Sequence, residues 1–260
     1  LQLIRGMIDV RAKAMNKEVL RLNDIFGSYF PESYTLDEQG ATPVIRNGSV
    51  VVNQRSIEVD RFTSLTGAAA TIFVRQGDDF IRVATSLRKE NGERALGTPL
   101  GKQHPAYAKV MAGEPFSGKV QMFNKDYYTA YTPIKDKSGR TIGLVFIGLD
   151  VSQEVAALKQ QIRMVKVGST GYFFVLDSRP GNGLGTLIVH PSKEGQNILG
   201  AKDADGHEFI REMLDKKQGT IRYPWMNTEL GESSPRGKLT VYDQYADWNW
   251  VIGGGTYIEE

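Results

Sequence analysis

One pattern occurs twice along this chain, and that repetition restricts its fold more than any other feature. From Ala68, the strand-like runs "ATIFVR" and "FIRVATSL" flank the turn "QGDD". A helical stretch, "HPAYAKVMAG", comes next, and "GKVQMF", "YYTAYTPI" and "TIGLVFIGLD" complete the unit. The order then restarts with "GYFFVLD" and "TLIVHPS" around a glycine-rich turn, the helix "DGHEFIREMLDKKQG", and the runs "TIRYPW", "KLTVYDQY" and "WNWVIGGGTYIEE". Phe73 answers to Phe174 and Gly118 to Gly219 at the same spacing. Each half reads strand–strand–helix–strand–strand–strand. This predicts an α+β chain of two modules, each a mainly antiparallel sheet of five or six strands with local hairpins and flanking helices.

Ahead of the repeat, apolar residues recur at Ile4, Ile8, Ala12, Met15, Val19, Leu22 and Phe26. Steps of four and three mark a single helical stripe. No proline interrupts it before Pro31, so a long helix over residues 1–34 is expected, acting as a stalk that also packs on the modules. Residues 31–66 are mixed in character, with Asn47-Gly48 as a turn before the short strand "SVVVN". Between the modules, "DVSQEVAALKQQIRMV" reads as a helix capped by Asp150, with Val155, Leu158, Ile162 and Val165 as its stripe. The expected divisions are a stalk (1–34), a first module (35–150), a connecting helix (151–166) and a second module (167–260). The chain opens without an initiator Met inside a helical pattern, which points to a piece of something longer.

Several chemistries are disfavoured. The chain has no cysteine, so disulfides, thiolate metal sites and cysteine nucleophiles are excluded. A net charge of +2 gives no electrostatic case for nucleic acid. "GGGTY" near the end lacks the following helix and the lysine that a phosphate loop needs. Glycines within a strand instead allow close approach of a neighbouring chain segment. "GNGLG" at 181–185 joins two antiparallel strands and reads as a hairpin loop; "KDADGH" lacks the later oxygen ligands of a calcium loop. His104, His190 and His207 lie in different elements without metal-ligand spacing, and no GxSxG nucleophile elbow occurs. No catalytic residues, no metal and no cofactor are expected.

Binding chemistry has better candidates. In the first module, Arg82 and Ser86 lie along "FIRVATSL", expected on one face, with Tyr128 and Tyr131 along "YYTAY" and Tyr107 on the helix. Arginine grips a carboxylate bidentately and tyrosines close a half-apolar pocket, so these residues suit a small organic ligand, with an organic acid among the candidates. The competing reading is a surface arginine beside core aromatics, which strands favour in any case. In the second module the candidates are Tyr172, His190, Trp225 and Tyr242.

The segments "GSTGYFFVLD", "TLIVHPSKEGQNI", "DGHEFIREM" and "YADWNWVIGGGTYIEE" resemble the Cache_2 modules of bacterial sensory receptors. "FIRVATSLRKENGERALGTPLG", "AYAKVMAGEPFSGKV" and "RTIGLVFIGLDVS" resemble the Cache_3 module that precedes Cache_2 in tandem receptors. This resemblance implies two PAS-like modules along a long N-terminal helix. It implies an extracytoplasmic, periplasmic sensor domain of an inner-membrane receptor, most often a methyl-accepting chemotaxis protein. Flanking transmembrane helices, a cytoplasmic signalling domain and a homodimer formed through the N-terminal helix belong to that expectation, and the first module would be the membrane-distal, ligand-holding one. A histidine kinase or diguanylate cyclase output is the alternative, and a free-standing periplasmic enzyme or binding protein is a more remote one.

Overall fold

The computed structural model describes residues 1–123, 125–226 and 231–259. Helix α1 (Gln2–Gly27) leads into a three-stranded meander of β1 (Tyr34–Asp37), β2 (Val44–Asn47) and β3 (Val50–Val51). Then come α2 (Ile57–Thr66), β4 (Ala69–Gln76), β5 (Asp79–Thr85), α3 (Tyr107–Met111), β6 (Phe116–Met122), β7 (Lys125–Lys135) and β8 (Thr141–Asp150). After α4 (Ser152–Met164) follow β9 (Lys166–Val167), β10 (Gly171–Asp177), β11 (Leu187–Val189), α5 (Phe209–Lys216), β12 (Gln218–Trp225), β13 (Arg236–Tyr245) and β14 (Trp250–Tyr257). No helix among the described residues is long and apolar enough to cross a membrane.

The chain divides into two compact units, Arg11–Gln153 and Glu154–Glu260 with Leu1–Val10. Their main sheets share one topology. The first is ordered β5-β4-β8-β7-β6 and the second β11-β10-β14-β13-β12, with β9 pairing β10. All neighbouring pairs within both sheets are antiparallel. The repeat seen in the sequence is thus a repeat of fold.

The stripe of α1 is the face that packs. Ile4, Ile8, Val19 and Phe26 are fully enclosed, and Ala12, Met15 and Leu22 nearly so. Enclosing each large aliphatic or aromatic side chain is worth about 1.5–3 kcal/mol, which outweighs the modest helix propensity of the β-branched members. In the unit containing Leu1–Val10, Arg5 Nη1 donates to Asp243 Oδ2 at 2.5 Å and the Tyr245 hydroxyl donates to Asp9 Oδ1 at 2.9 Å. In the other unit, the Phe26 ring meets Phe62 of α2 edge-on at 5.1 Å. Because the chain itself covers this stripe, the stripe is not available to a second copy.

Helix boundaries follow local chemistry. Asp150 Oδ1 accepts the Ser152 N–H at 3.1 Å and so caps α4 as the sequence suggests. The expectation for α5 is corrected at both ends. Asp205 does not open it, because Asp203 Oδ1 accepts the N–H groups of Asp205 and His207 and closes a separate turn ahead of the helix, which begins at Phe209. The helix stops at Lys217, which adopts φ 66°, rather than at Gly219. Gly219 lies in β12, where a Cβ would press on the Tyr242 hydroxyl. The stretch Ile57–Thr66, part of the segment of mixed character, forms α2, which encloses Val59 and Phe62 and ends on Gly67 at φ 75°.

The glycine run of β14 makes room for rings. A Cβ on Gly253 would fall closer than 3.0 Å to the Phe174 ring, and one on Gly254 equally close to Phe173. A Cβ on Gly255 would collide with Thr240 Oγ1. Phe173 and Phe174 point to opposite faces of β10, so the bare strand seats one ring on each side.

Candidate functional site

Alternation along the second sheet turns Tyr172 and Phe174 of β10, Tyr223 and Trp225 of β12 and Lys238, Thr240 and Tyr242 of β13 toward α5. Phe209 and Ile210 of α5 close over them. Within this layer lies a small pocket lined by Tyr172, Phe174, Leu187, His190, Ile198, Phe209, Ile210, Tyr223, Trp225 and Lys238. Its enclosed space of about 20 Å³ is room for one water-sized group.

Lys238 gives the pocket its charge. It is 1% exposed, and its ammonium sits 3.7 Å from the Tyr172 ring centroid and 5.9 Å from those of Phe174 and Tyr257. It forms no hydrogen bond or ion pair to any of the described residues. Burial pushes its pKa down to about 7, against a smaller opposing pull from Glu232. Gly255 belongs to this arrangement, since a Cβ there would press on Lys238 Cε at 3.0 Å.

The other polar groups of the pocket can all donate. His190 Nδ1 accepts the backbone N–H groups of Ser192 and Lys193 at 3.1 and 3.0 Å, which leaves Nε2 as the protonated nitrogen. Burial first, and then Lys238 and Lys193, pull the His190 pKa down to about 4, so the ring is neutral near pH 7. Its ring meets Tyr172 edge-on at 5.1 Å. The Trp225 Nε1 is buried without a hydrogen bond of regular geometry and lies toward the Tyr172 hydroxyl. Burial raises the pKa of Tyr172 and Tyr223 well above that of free tyrosine, keeping both hydroxyls protonated. Phe209 stacks on Tyr223 at 4.2 Å and holds Trp225 edge-on at 5.5 Å, so the indole is fixed by packing.

Of the second-module residues singled out in the sequence, the structure brings Tyr172, His190 and Trp225 together. Tyr242 belongs to the same core layer but lies over Gly219, away from the pocket lining. Lys238 was missed. Its signal was its parity with Thr240 and Tyr242 in "KLTVYDQY", a lysine at an inward position of an alternating strand.

In the first module, Arg82 is 8% exposed, lies 4.8 Å over the Phe73 ring and donates through Nη1 to Thr98 Oγ1 at 2.9 Å and the Pro99 carbonyl at 3.1 Å. Its Nε is buried without a partner among the described residues. Tyr131 is near this guanidinium, and its hydroxyl meets His104 Nε2 at 3.1 Å. Burial, then the Arg82 charge, depress the His104 pKa to about 4.

The remaining first-module candidates are elsewhere. Arg82 and Ser86 do not share a face as expected, because a β-bulge opposite Ile72/Phe73 pairs Phe73 with Arg82 but Thr71 with Thr85. Ser86 Oγ accepts from Thr63 Oγ1 and the Ala70 N–H instead. Tyr107 donates to the Asp78 carbonyl, and Tyr128 lies on the face of β7 opposite Tyr131. Among the described residues no cluster of three or more His, Asp or Glu is placed to hold a metal ion.

This architecture, two PAS-like antiparallel sheets of one topology, is that of a tandem sensory domain. The family model for the Cache 3/Cache 2 fusion domain matches residues 1–260, and the chain belongs to that family. Two curated relatives are sensory proteins. The sensor histidine kinase MctS of Rhizobium johnstonii is 28% identical over 145 residues, covering 49% of this chain and 30% of the relative. The methyl-accepting chemotaxis protein McpP of Pseudomonas putida is 26% identical over 108 residues, covering 39% of this chain and 19% of the relative. The chain thus corresponds to a minor part of each. The periplasmic domain of RsbU from Chlamydia trachomatis shares the fold, with a TM-score of 0.54 at 11% identity over 99% of this chain and 92% of that one.

Proposed function

We propose that this chain is the extracytoplasmic sensor domain of a membrane receptor and that its second module binds a small monocarboxylate. One observation carries the ligand class: the enclosed Lys238 ammonium, in a pocket whose other polar groups can donate N–H and O–H bonds, makes no ion pair with a carboxylate among the described residues, and Glu232, which pulls weakly on it, is paired with Arg236. An uncompensated enclosed cation is costly, and a ligand carboxylate supplies the missing charge. Lys238 binds the carboxylate oxygens, His190 Nε2 and Trp225 Nε1 offer further N–H donors, and Phe174, Ile198 and Phe209 surround a short alkyl tail. With room for one water-sized group, the pocket admits a ligand only as rim side chains give way, which disfavours all but short acids such as acetate and propionate. The chemistry is binding, not catalysis, and it signals to the extent that ligand favours one conformation of the module over another.

A methyl-accepting chemotaxis receptor is the preferred output and a histidine kinase the alternative; the curated relatives include one of each. A receptor of this kind acts as a homodimer. Since the stripe of α1 is covered, the face this helix offers for such pairing is the opposite one, where Leu3 and Val10 are exposed.

A second reading places the ligand in the first module, where the unpaired Arg82 Nε beside Tyr131 and His104 favours an anion as well. Calorimetry with acetate, propionate, succinate and the neutral isostere propionamide separates the two. The second-module reading expects the monocarboxylates to bind, propionamide to bind at least a hundredfold more weakly, and Lys238→Met to abolish binding while Arg82→Ala retains it. The reverse pattern for the two variants transfers the site to the first module. Equal binding of propionamide and propionate refutes the counter-charge argument.

A further inference from the structure

The charge state of Lys238 matters to what the pocket detects, and the pocket's construction separates it from an ordinary cationic anion site. An arginine, or a lysine held by a carboxylate, carries its positive charge before any ligand arrives. Lys238 makes no ion pair with any described residue and is walled by rings: β10 presents the Tyr172 and Phe174 rings, β14 the Tyr257 ring and a glycine, and β13 itself Thr240. Among the described residues, the charged and titratable groups around it are few. They are His190 after β11, Tyr172, Tyr223 on β12, Tyr257, and the Glu232–Arg236 pair at 3.3 Å, with Lys193 farther out, 5.4 Å from Trp225. Glu232 is already engaged by Arg236, and the tyrosines are held protonated by burial. His190 is neutral above pH 5.

We propose that the second-module pocket is a site for two ligands, an organic anion and a proton, bound together, with the proton taken up on the Lys238 amine. This rests on the carboxylate reading above and goes beyond it. The free pocket at mildly alkaline pH holds a neutral amine among aromatic rings. An incoming carboxylate, a base too weak to hold a proton at that pH, makes the ammonium form favourable, and the amine takes its proton from solvent. The net uptake is that of anion plus proton, the composition of the undissociated acid, although the bound species are carboxylate and ammonium. Above the pH at which the free amine loses its proton, the receptor therefore responds to the product of anion and proton activities rather than to the anion alone.

The linkage has a definite sign. The free amine titrates near 7 and the bound one well above it, so uptake is small below pH 6 and approaches one proton per ligand above pH 8. Over that upper range the Kd rises about tenfold per pH unit, and below pH 6 it is flat.

The test is calorimetric titration of the 260-residue chain with propionate at pH 5.8, 7.0 and 8.5, each in two buffers of different ionisation enthalpy. Expected uptakes are about 0.1, 0.5 and 1 proton per ligand. Binding at pH 8.5 without proton uptake overturns this proposal and leaves the carboxylate reading standing. Absence of binding by acetate and propionate at every pH overturns both. Lys238→Arg, whose guanidinium stays charged, should take up no proton at pH 8.5 if it binds. Persistent uptake in that variant, or wild-type uptake already close to one proton per ligand at pH 5.8, would assign the proton to His190 and refute the assignment to Lys238.

Discussion

Replacing Lys238 with Met should stabilise the ligand-free second module, by an amount that shrinks as pH rises. The two side chains are of similar length, so the packing around Gly255 and Tyr172 is retained. The lysine titrates near 7 in the folded chain and at its ordinary 10.5 when unfolded. Between these values the unfolded state binds more protons, so the stability of the wild type climbs with pH there. At about 1.36 kcal/mol per pK unit, the folding penalty of the lysine is about 5 kcal/mol below pH 6, about 3 at pH 8 and about 1 at pH 9.5. Where the lysine is protonated, its contact with the Tyr172 ring returns on the order of 1 kcal/mol. The expected net gain for Lys238→Met is about 2–4 kcal/mol at pH 6–8. Urea unfolding followed by tryptophan fluorescence suits the measurement, because all 3 tryptophans, Trp225, Trp248 and Trp250, lie in the second unit. A variant less stable than wild type at pH 6, or a stability gap that does not narrow toward pH 9.5, refutes the view of Lys238 as an uncompensated enclosed amine.

Two further outcomes are expected. Gly253→Ala drives a methyl group into the Phe174 ring and should cost about 1–3 kcal/mol in urea unfolding, while weakening propionate binding because Phe174 lines the pocket; an unchanged transition midpoint would contradict that geometry. If the exposed face of α1 pairs two receptors, the chain should show concentration-dependent dimerisation in sedimentation, and Val10→Asp should remove it; a dimer unaffected by Val10→Asp places the contact elsewhere.

The fold was legible wherever the pattern was periodic. The stripe from Ile4 to Phe26 is buried residue for residue, and the repeated strand order became two sheets of one topology. Helix α2 escaped because two enclosed residues, Val59 and Phe62, make too short a stripe to stand out from a mixed segment. Chemistry was harder to read than architecture. Arg82 and Ser86 are four residues apart and looked like neighbours on one face, but a single bulge separates them, and bulges leave no period in a sequence. Aromatic candidates in the second module were found by residue type, whereas Lys238 was passed over because lysine on a strand ordinarily belongs to the solvent side. Its alternation with Thr240 and Tyr242 carried the information; only the tertiary fold shows that every other residue of β13 is enclosed.

The bare stretch of β14 has a consequence for inheritance. Glycine codons share their first two bases, so any missense change of one base at Gly253, Gly254 or Gly255 introduces a side chain. Each would meet Phe174, Phe173 or Thr240 at less than 3.0 Å. These positions have no conservative neighbour one step away, unlike the aliphatic positions of the same strand, where Val251 and Ile252 can exchange with one another's residue type. A saturation library scored for stability should therefore show three adjacent columns in which even alanine is destabilising and larger residues are worse.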